Sequence, residues 1–236
     1  MKFPERFSNL PAYAFPRLRA LLDVHDAGGD VVHMTIGEPK HAFPAWVTDV
    51  ISEHAAGFNR YPPNEGVIEL RQAFCDWAQR RYGLTLDPET NVMPVNGTRE
   101  GLYNAPMALC PETKNGQRPV VLMPNPFYQV YASAALAAGA TPLYLDAPAE
   151  SGFLPDLESL TPEVLSRLRA LYLCSPANPQ GAIADKAYLT LAYELAKNHD
   201  FLLLVDECYS EIYDKPLAAS PPPSMLEVMA EAQDSD

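Results

Sequence analysis

Residues 201–213, with the sequence FLLLVDECYSEIY, place five apolar residues directly before two carboxylates. A continuous apolar run of this length is typical of a parallel strand that is buried on both faces. Asp206 stands where that strand ends, and an unpaired carboxylate beside aliphatic neighbours costs several kcal/mol. We therefore expect a cation or a set of strong hydrogen-bond donors to meet Asp206, and the identity of that partner decides the function.

Two common nucleotide sites fit the acidic strand end poorly. A magnesium-binding aspartate of a nucleotide hydrolase requires a phosphate loop with Gly-Lys followed by Ser or Thr, and the sequence contains no Gly-Lys pair. A dinucleotide fingerprint requires two glycines separated by one residue, and none of the 12 glycines has that spacing. The partner of Asp206 must therefore come from another kind of site.

A second apolar segment, ALYLCSPANPQG at residues 170–181, also runs into a polar turn and places Asn178 at its mouth. The residues between the two segments form a helical pattern with Asp185 as a plausible N-cap. A strand, a helix and a second strand in this order pair in parallel, and ligands bind at the carboxyl ends of such strands. We expect Asn178 and Asp206 to face one crevice.

Together these motifs resemble the class I/II, fold type I, pyridoxal-phosphate-dependent aminotransferases. SPANPQG followed by VDECYSEIY matches the signature pair of that family, and the other motifs follow in the same order. Among its members the chain is most similar to the N-succinyldiaminopimelate aminotransferases, through IGEPKH, RYPPNEG, LPAYAFPRLRALL, VNGTREG, NPFYQVY and DECYSEIYD. The matching segments are residues 37–39, 60–71, 94–103, 123–131, 175–181 and 205–213.

The resemblance implies an α/β fold, the large domain of a fold type I transferase, with three αβα layers and a mostly parallel sheet. It assigns residues 1–37 to an N-terminal arm and the start of the small domain, and residues 38–236 to an incomplete large domain that binds the cofactor. We expect the chain to be a C-terminally truncated fragment that carries only the N-terminal piece of the small domain.

Five segments are candidate strands, and two strands of the family's sheet have no counterpart. In the family those two strands separate the first candidate from the last, so residues 91–95 would lack neighbours on both sides. We therefore expect the isolated chain to be marginally stable or prone to aggregation. The candidates are residues 91–95, 119–124, 141–145, 170–174 and 201–206.

Pyridoxal phosphate is the cofactor that the resemblance implies. Its protonated ring acts as an electron sink, and a buried carboxylate keeps the ring nitrogen protonated. The resemblance gives that role to Asp206, and it gives Asn178 and Tyr209 hydrogen bonds to the phenolic oxygen. Tyr128 would stack on one face of the ring, and Cys208 would contact the other face.

The phosphate group of the cofactor requires donors, and Gly97, Thr98 and Arg99 stand where the segment NVMPV gives way to a helix. Unpaired amides at a helix N-terminus bind anions, and glycine permits close approach. The resemblance also has Tyr61 reaching the phosphate of the partner subunit, which implies a homodimer. It assigns Ile36 and Gly37, together with Asn178, to binding the substrate.

No residue of this sequence matches the lysine that attaches the cofactor covalently in the family. Members of the family hold it through a lysine in a Ser-x-x-Lys context beyond the aspartate, and no lysine of this sequence matches. We therefore assign no catalytic residue. The six lysines are at positions 2, 40, 114, 186, 197 and 215.

The function that the resemblance implies is amino transfer between an amino acid and 2-oxoglutarate. Its substrate would be N-succinyl-LL-2,6-diaminopimelate, in lysine and diaminopimelate biosynthesis. An aspartate-type or other amino-acid aminotransferase is the alternative within the class. The alternative outside it is a non-catalytic fragment or a scaffold that binds the cofactor noncovalently.

Charge and cysteine content restrict the classes of molecule that the protein is expected to bind and the cellular compartment in which it is expected to occur. Thirty acidic and 17 basic side chains give a net charge of −13, which disfavours nucleic acids and anionic membranes as partners. The four cysteines have no spacing typical of a metal site, and the N-terminus lacks the apolar core of a signal peptide. We expect a cytoplasmic protein that holds no metal.

One helical pattern predicts core residues. Val67, Leu70, Phe74, Trp77 and Ala78 recur with helical spacing and end near Gly83. We expect this apolar stripe to be buried.

Overall fold

The computed structural model describes residues 5, 8, 12–34, 41–214 and 220–233. Contacts within the chain divide it into two compact units, residues 12–67 and residues 68–236 together with the first 11 residues. The predicted domain boundary after residue 37 lies within a segment outside the described residues, and it stays a prediction.

The smaller unit is helical and the larger unit alternates strands and helices. The smaller unit contains α1 (Ala14–Leu22), α2 (Trp46–Glu53) and a 3-10 helix (Ala55–Asn59). The larger unit contains α3 (Ile68–Tyr82), α4 (Thr98–Leu109), β1 (Val120–Asn125), α5 (Gln129–Ala137), β2 (Thr141–Asp146), α6 (Pro162–Arg167), β3 (Leu168–Cys174), α7 (Lys186–His199), β4 (Leu202–Asp206) and α8 (Met225–Ala232). Two short 3-10 helices, Ala149–Ser151 and Leu157–Ser159, precede α6.

The four strands form one parallel sheet in the order β2-β1-β3-β4. Helix α7 connects β3 to β4, which are hydrogen-bonded neighbours, as the strand-helix-strand pattern predicts. Four of the five predicted strands are therefore confirmed, each to within two residues at either end.

The fifth predicted strand, residues 91–95, is wrong, because this segment has no strand structure. A strand is defined by the ladder that it makes with a neighbour, and the described residues offer this segment no strand as a neighbour. Its apolar residues remain partly exposed, and Met93 is 74% exposed.

Helices cover both faces of the sheet, so the predicted three-layer α/β fold is confirmed. Successive residues of β1 point to opposite faces: Val120 and Leu122 pack towards α7 and α8, whereas Val121 and Met123 pack towards α4 and α5. This double burial explains why the central strands read as continuous apolar runs rather than as alternating ones.

The ends of α7 are set by local sequence. The side chain of Asp185 accepts a hydrogen bond of 2.8 Å from the backbone N–H of Tyr188, which confirms the predicted N-cap. Leu189 and Ala192 are buried against the sheet, and Asp200 ends the helix with a left-handed backbone. The helix thereby returns the chain to the edge of the sheet where β4 begins.

The predicted core stripe of α3 is largely wrong. Leu70 is 55% exposed and Phe74 is 39% exposed. Of the predicted stripe, Ala78 is confirmed as fully buried, and the buried face also carries Arg71 and Cys75, which the pattern did not predict. Burial of Arg71 is possible because its guanidinium donates a hydrogen bond of 2.8 Å to the carbonyl of Pro88.

Helix α3 packs against α8 through apolar residues and through one arginine. Arg81 donates from Nε to Glu211 at 2.9 Å and pairs from Nη1 with Glu227 at 3.4 Å. Its guanidinium also lies 4.6 Å from the centroid of the Tyr82 ring.

No helix in the described ranges is long and apolar enough to cross a membrane.

Candidate active site

The carboxyl ends of β3 and β4 bring the two predicted polar segments together. Cys174, the last residue of β3, is paired in register with Asp206, the last residue of β4. Beyond the strands, the side-chain amide of Asn178 donates a hydrogen bond of 2.9 Å to the hydroxyl of Tyr209. The convergence expected from parallel pairing is therefore observed, whereas the roles of these residues towards a cofactor stay predictions.

Asp206 is buried, and its partner within the chain is a tyrosine hydroxyl. The residue is 8% exposed, and Oδ2 accepts a hydrogen bond of 2.7 Å from Tyr131. Within the described part of the chain, Asp206 takes part in no ion pair, and no three acidic, cysteine or histidine side chains are grouped to hold a metal. A neutral donor therefore holds the carboxylate and leaves its negative charge uncompensated.

Tyr131 keeps its proton. Burial, reinforced by the negative charge of Asp206, raises the pKa of Tyr131 far above its ordinary value. Its ring is 1% exposed and stacks on Tyr172, with centroids 4.3 Å apart and planes 10° apart. The hydroxyl of Tyr172 donates to the backbone carbonyl of Leu102 in α4 at 2.5 Å.

Cys208 lies two residues beyond the acidic strand end. Burial, followed by the charge of Asp206, raises the pKa of the Cys208 thiol to about 12. The thiol is therefore protonated at neutral pH and does not add a second negative charge beside Asp206. A neutral, soft sulfur suits the predicted contact with a ring face, which stays a prediction.

The start of α4 carries the three residues predicted to bind the phosphate. Gly97 has φ of 104° and ψ of 153°, a backbone conformation that is essentially restricted to glycine. A Cβ added there would meet no atom within 4 Å, so open space lies beside the helix start. Thr98 and Arg99 are the first two residues of the helix, and backbone N–H groups in a first helical turn point outward along the helix axis.

Arg99 links the helix start to the predicted stacking residue. Its Nε donates a hydrogen bond of 2.8 Å to the hydroxyl of Tyr128. The Tyr128 ring meets Tyr131 edge to face, with centroids 5.7 Å apart and planes 88° apart. A continuous set of contacts therefore connects the start of α4 with the carboxylate of Asp206.

Glu207 turns away from this set and caps α8. Its carboxylate accepts from the hydroxyl of Ser224 at 2.6 Å and from the backbone N–H of Met225 at 2.7 Å. Burial raises the pKa of Glu207, although both hydrogen bonds act in the opposite direction. The two adjacent acids therefore have separate tasks, one at the sheet edge and one at a helix N-terminus.

The assignments of three predicted site residues are not tested by the structure. Tyr61 belongs to the smaller unit and is 98% exposed. Ile36 and Gly37 lie outside the described residues. Their assignments to a partner's phosphate and to the substrate stay predictions.

The described lysines are engaged away from Asp206. Lys114 donates to the carbonyls of Leu168, His199 and Asp200 at 2.6 to 2.8 Å, near the start of β3 and thus at the opposite edge of the sheet. Lys186 pairs with Glu231, and Lys197 lies 5.6 Å from the ring of Tyr193. The lysines at positions 2, 40 and 215 lie outside the described residues.

Sequence reasoning missed Tyr131, the residue that partners Asp206. It lies 75 positions before Asp206 and three positions after Tyr128, in the first turns of α5. The sequence contained one indication of its role: Tyr131 belongs to the aromatic segment NPFYQVY, which follows a predicted strand. In a parallel sheet that strand ends at the same edge as the strand that carries Asp206.

Comparison with known proteins identifies a family and close relatives. Residues 29–233 match the family described as aminotransferase class I and II. The chain is 35% identical over 218 residues to an LL-diaminopimelate aminotransferase of Moorella thermoacetica, and 34% identical over 234 residues to that of Desulforudis audaxviator. These alignments cover 91% and 97% of this chain but only 55% and 57% of the relatives.

Solved structures give the same result. The chain resembles an aminotransferase from Neisseria meningitidis with a TM-score of 0.88 and 34% identity, over 98% of this chain and 58% of that one. It resembles the aminotransferase AspB from Helicobacter pylori with a TM-score of 0.84 and 34% identity, over 99% and 58%. The chain thus spans little more than half the length of the proteins that it matches.

Proposed function

Because this chain belongs to the class I and II aminotransferase family, whose members depend on pyridoxal 5'-phosphate, we propose that it serves amino transfer between an amino acid and a 2-oxo acid. When bound, the cofactor supplies an electron sink for the carbon that carries the amino group. The observation that carries the proposal is the buried carboxylate of Asp206, held by a neutral hydroxyl rather than by a cation.

The residues at the sheet edge fit the chemistry of the cofactor. A buried anion without a cationic partner is suited to a protonated pyridine nitrogen, which supplies the missing charge. Asn178 and Tyr209 offer an amide and a hydroxyl for a phenolic oxygen, and they already form a hydrogen bond with each other. Asp206 would hold the ring nitrogen as a cation, and the other two side chains would orient the ring.

The start of α4 fits the phosphate group. The outward-pointing N–H groups of the first helical turn, the positive end of the helix dipole and the open space beside Gly97 together favour a dianion. Arg99 would act through its backbone amide and through its hydrogen bond to Tyr128. Tyr128 would thereby be held in place to cover one face of the ring.

For the substrate we propose a diaminopimelate derivative. Relatives at 31% to 35% identity are LL-diaminopimelate aminotransferases, which supports the free diamino acid, whereas the sequence motifs support its N-succinyl form. The amino acceptor would be 2-oxoglutarate, and the pathway lysine biosynthesis. An aspartate-type aminotransferase is the second candidate, favoured by the likeness to AspB.

The proposed activity is tested by offering the purified protein three amino donors with 2-oxoglutarate and pyridoxal 5'-phosphate. We expect glutamate to form at least about tenfold faster, in kcat/KM, with one of the two diaminopimelate compounds than with aspartate, since a site that hydrogen-bonds a substrate group discriminates strongly against its absence. Glutamate is measured by coupled dehydrogenase assay. A preference for aspartate contradicts the proposed substrate, and no glutamate from any donor contradicts amino transfer.

The alternative is a protein that holds the cofactor without a covalent bond. Borohydride reduction in the presence of pyridoxal 5'-phosphate, followed by peptide mapping, tests whether a lysine within these 236 residues attaches the cofactor; amino transfer itself is tested by the donor assay. We expect no single lysine of the 236 residues to be labelled stoichiometrically, because no lysine matches the family's position and the described ones are engaged elsewhere. One stoichiometrically labelled lysine overturns that expectation and identifies the attachment residue.

A homodimer and a cytoplasmic location remain parts of the proposal. The dimer is supported by the 98% exposure of Tyr61, because a side chain that completes a partner's site has no role within its own chain. The location is supported by the absence of cysteine pairing among the described residues.

A further inference from the structure

We propose that Tyr131 is a positioning residue for the cofactor ring: its hydroxyl fixes the Asp206 carboxylate so that Oδ1 is directed to the ring nitrogen. This inference rests on the proposed function. It concerns a residue that touches neither the substrate nor the reacting atoms, and it assigns the two oxygens of one carboxylate to different partners.

The geometry at Asp206 carries the first step. The hydroxyl of Tyr131 lies 2.7 Å from Oδ2, and both residues are buried. A hydrogen bond to an ionised acceptor is stronger than one between neutral groups, so it restrains the rotation of the carboxylate about its terminal bond. With Oδ2 held by Tyr131, Oδ1 is the oxygen that we assign to the ligand.

The second step is that Tyr131 itself is held rigidly. Its ring is stacked on Tyr172 and is contacted edge-on by Tyr128, so it is restrained from two directions. Tyr172 in turn donates to Leu102 of α4, and Tyr128 accepts from Arg99 of the same helix. Three tyrosines, at positions 128, 131 and 172, form what we call the tyrosine ladder.

The third step concerns charge. A lysine or arginine in the place of Tyr131 would also hold the carboxylate but would cancel its charge. The carboxylate would then no longer raise the pKa of the ring nitrogen. A phenol holds the carboxylate and stays neutral, because burial and the neighbouring carboxylate both oppose its ionisation. The ladder thus positions Asp206 without neutralising it.

The tyrosine ladder also connects the residues that are assigned to the two ends of the cofactor. Arg99 belongs to the helix start assigned to the phosphate, and Asp206 is assigned to the ring nitrogen at the other end of the molecule. Because the ladder contacts both, the spacing between phosphate site and carboxylate is fixed by packed rings before any ligand binds. Such preorganisation lowers the entropic cost of binding.

The test compares Tyr131→Phe with Tyr188→Phe. Tyr188 is the matched control, because its hydroxyl donates to the carbonyl of Pro155 at 2.9 Å and makes no contact with the ladder. The dissociation constant of pyridoxal 5'-phosphate is measured by fluorescence titration, and the protonation of its ring nitrogen by the 15N chemical shift of labelled cofactor. We expect Tyr131→Phe to weaken binding about tenfold or more, as loss of a hydrogen bond to a charged group does, and to move the 15N shift towards the neutral value. Tyr188→Phe should leave both unchanged.

A double variant separates positioning from general damage. In Tyr131→Phe combined with Asp206→Asn, no buried charge lacks a donor, so this protein folds even where the single Tyr131 variant does not. We expect loss of the Tyr131 hydroxyl to weaken cofactor binding less in the Asp206→Asn background than in the unsubstituted chain, because the hydrogen bond that Tyr131 donates is stronger to a carboxylate than to an amide. Equal weakening by the Tyr131 and Tyr188 variants, or a loss of the same size in both backgrounds, overturns the inference.

The same experiment distinguishes failure of the inference from failure of the proposed function. An unsubstituted chain that fails to bind pyridoxal 5'-phosphate contradicts the proposed function and, with it, the role of Tyr131. An unsubstituted chain that binds the cofactor, with a Tyr131→Phe variant that binds it equally well, contradicts only the inference.

Discussion

Replacing Asp206 with asparagine should lower the ratio of protonated to neutral ring in bound pyridoxal 5'-phosphate by about 10- to 1,000-fold. The physical reason is that an opposite charge at hydrogen-bond distance moves a pKa by about 1 to 3, and the amide carries no charge. The amide has nearly the same shape, and its oxygen can still accept from Tyr131, so the buried hydroxyl keeps a partner. Amino transfer should fall by a similar factor, because the ring accepts electrons in its protonated form.

The 15N chemical shift of labelled cofactor measures this effect directly, and a kinetic assay of glutamate formation measures its consequence. Asp146→Asn is the matched control, since Asp146 also ends a parallel strand at the same edge of the sheet, where it accepts a hydrogen bond of 2.8 Å from Asn125. The control should retain the protonated ring. A protonated ring in the Asp206 variant would remove the basis for the proposed function.

Replacing Gly97 with alanine should weaken the binding of pyridoxal 5'-phosphate by more than about tenfold. Two effects act together. The backbone at φ of 104° and ψ of 153° costs about 1 to 3 kcal/mol with any residue other than glycine. The new methyl group also occupies the open space in which the phosphate would approach the amides of Thr98 and Arg99.

A second glycine provides the control for backbone strain. Gly139 also has a positive φ, of 76°, and a Cβ there would likewise meet nothing within 4 Å, but it follows α5 at the end remote from Tyr128. Gly139→Ala should lower the free energy of unfolding, measured in urea, and leave cofactor affinity unchanged. If the two alanine variants lose affinity to the same extent, the start of α4 is not the phosphate site.

The sequence was sufficient for the elements whose physics is local or pairwise. The apolar runs that became β1, β3 and β4 are bounded by turns, and the cap at Asp185 depends only on residues a turn away. The approach of the turn that carries Asn178 to the end of β4 at Asp206 followed from parallel pairing, because neighbouring strands that run the same way end at the same edge.

The errors arose where structure depends on distant residues. Residues 91–95 have the composition of a strand, but the part of the chain that the structure describes offers them no neighbouring strand to complete a ladder. The buried face of α3 was misjudged because Arg71 is accommodated by a carbonyl 17 positions away, which no helical pattern reveals. Tyr131 was missed for the same reason, since a tyrosine in a helix reads as a core residue until its hydroxyl partner is known.

The adjacent acids at the end of β4 have a mechanical consequence. Asp206 is held by Tyr131 on one side, and Glu207 is bonded to the first turn of α8 on the other. Hydrogen bonds on both sides restrain the peptide bond between the two acids, so a displacement of α8 along its axis would also move the end of β4. Substitutions in α8 can therefore change the position of the Asp206 carboxylate, although α8 carries none of the predicted site residues.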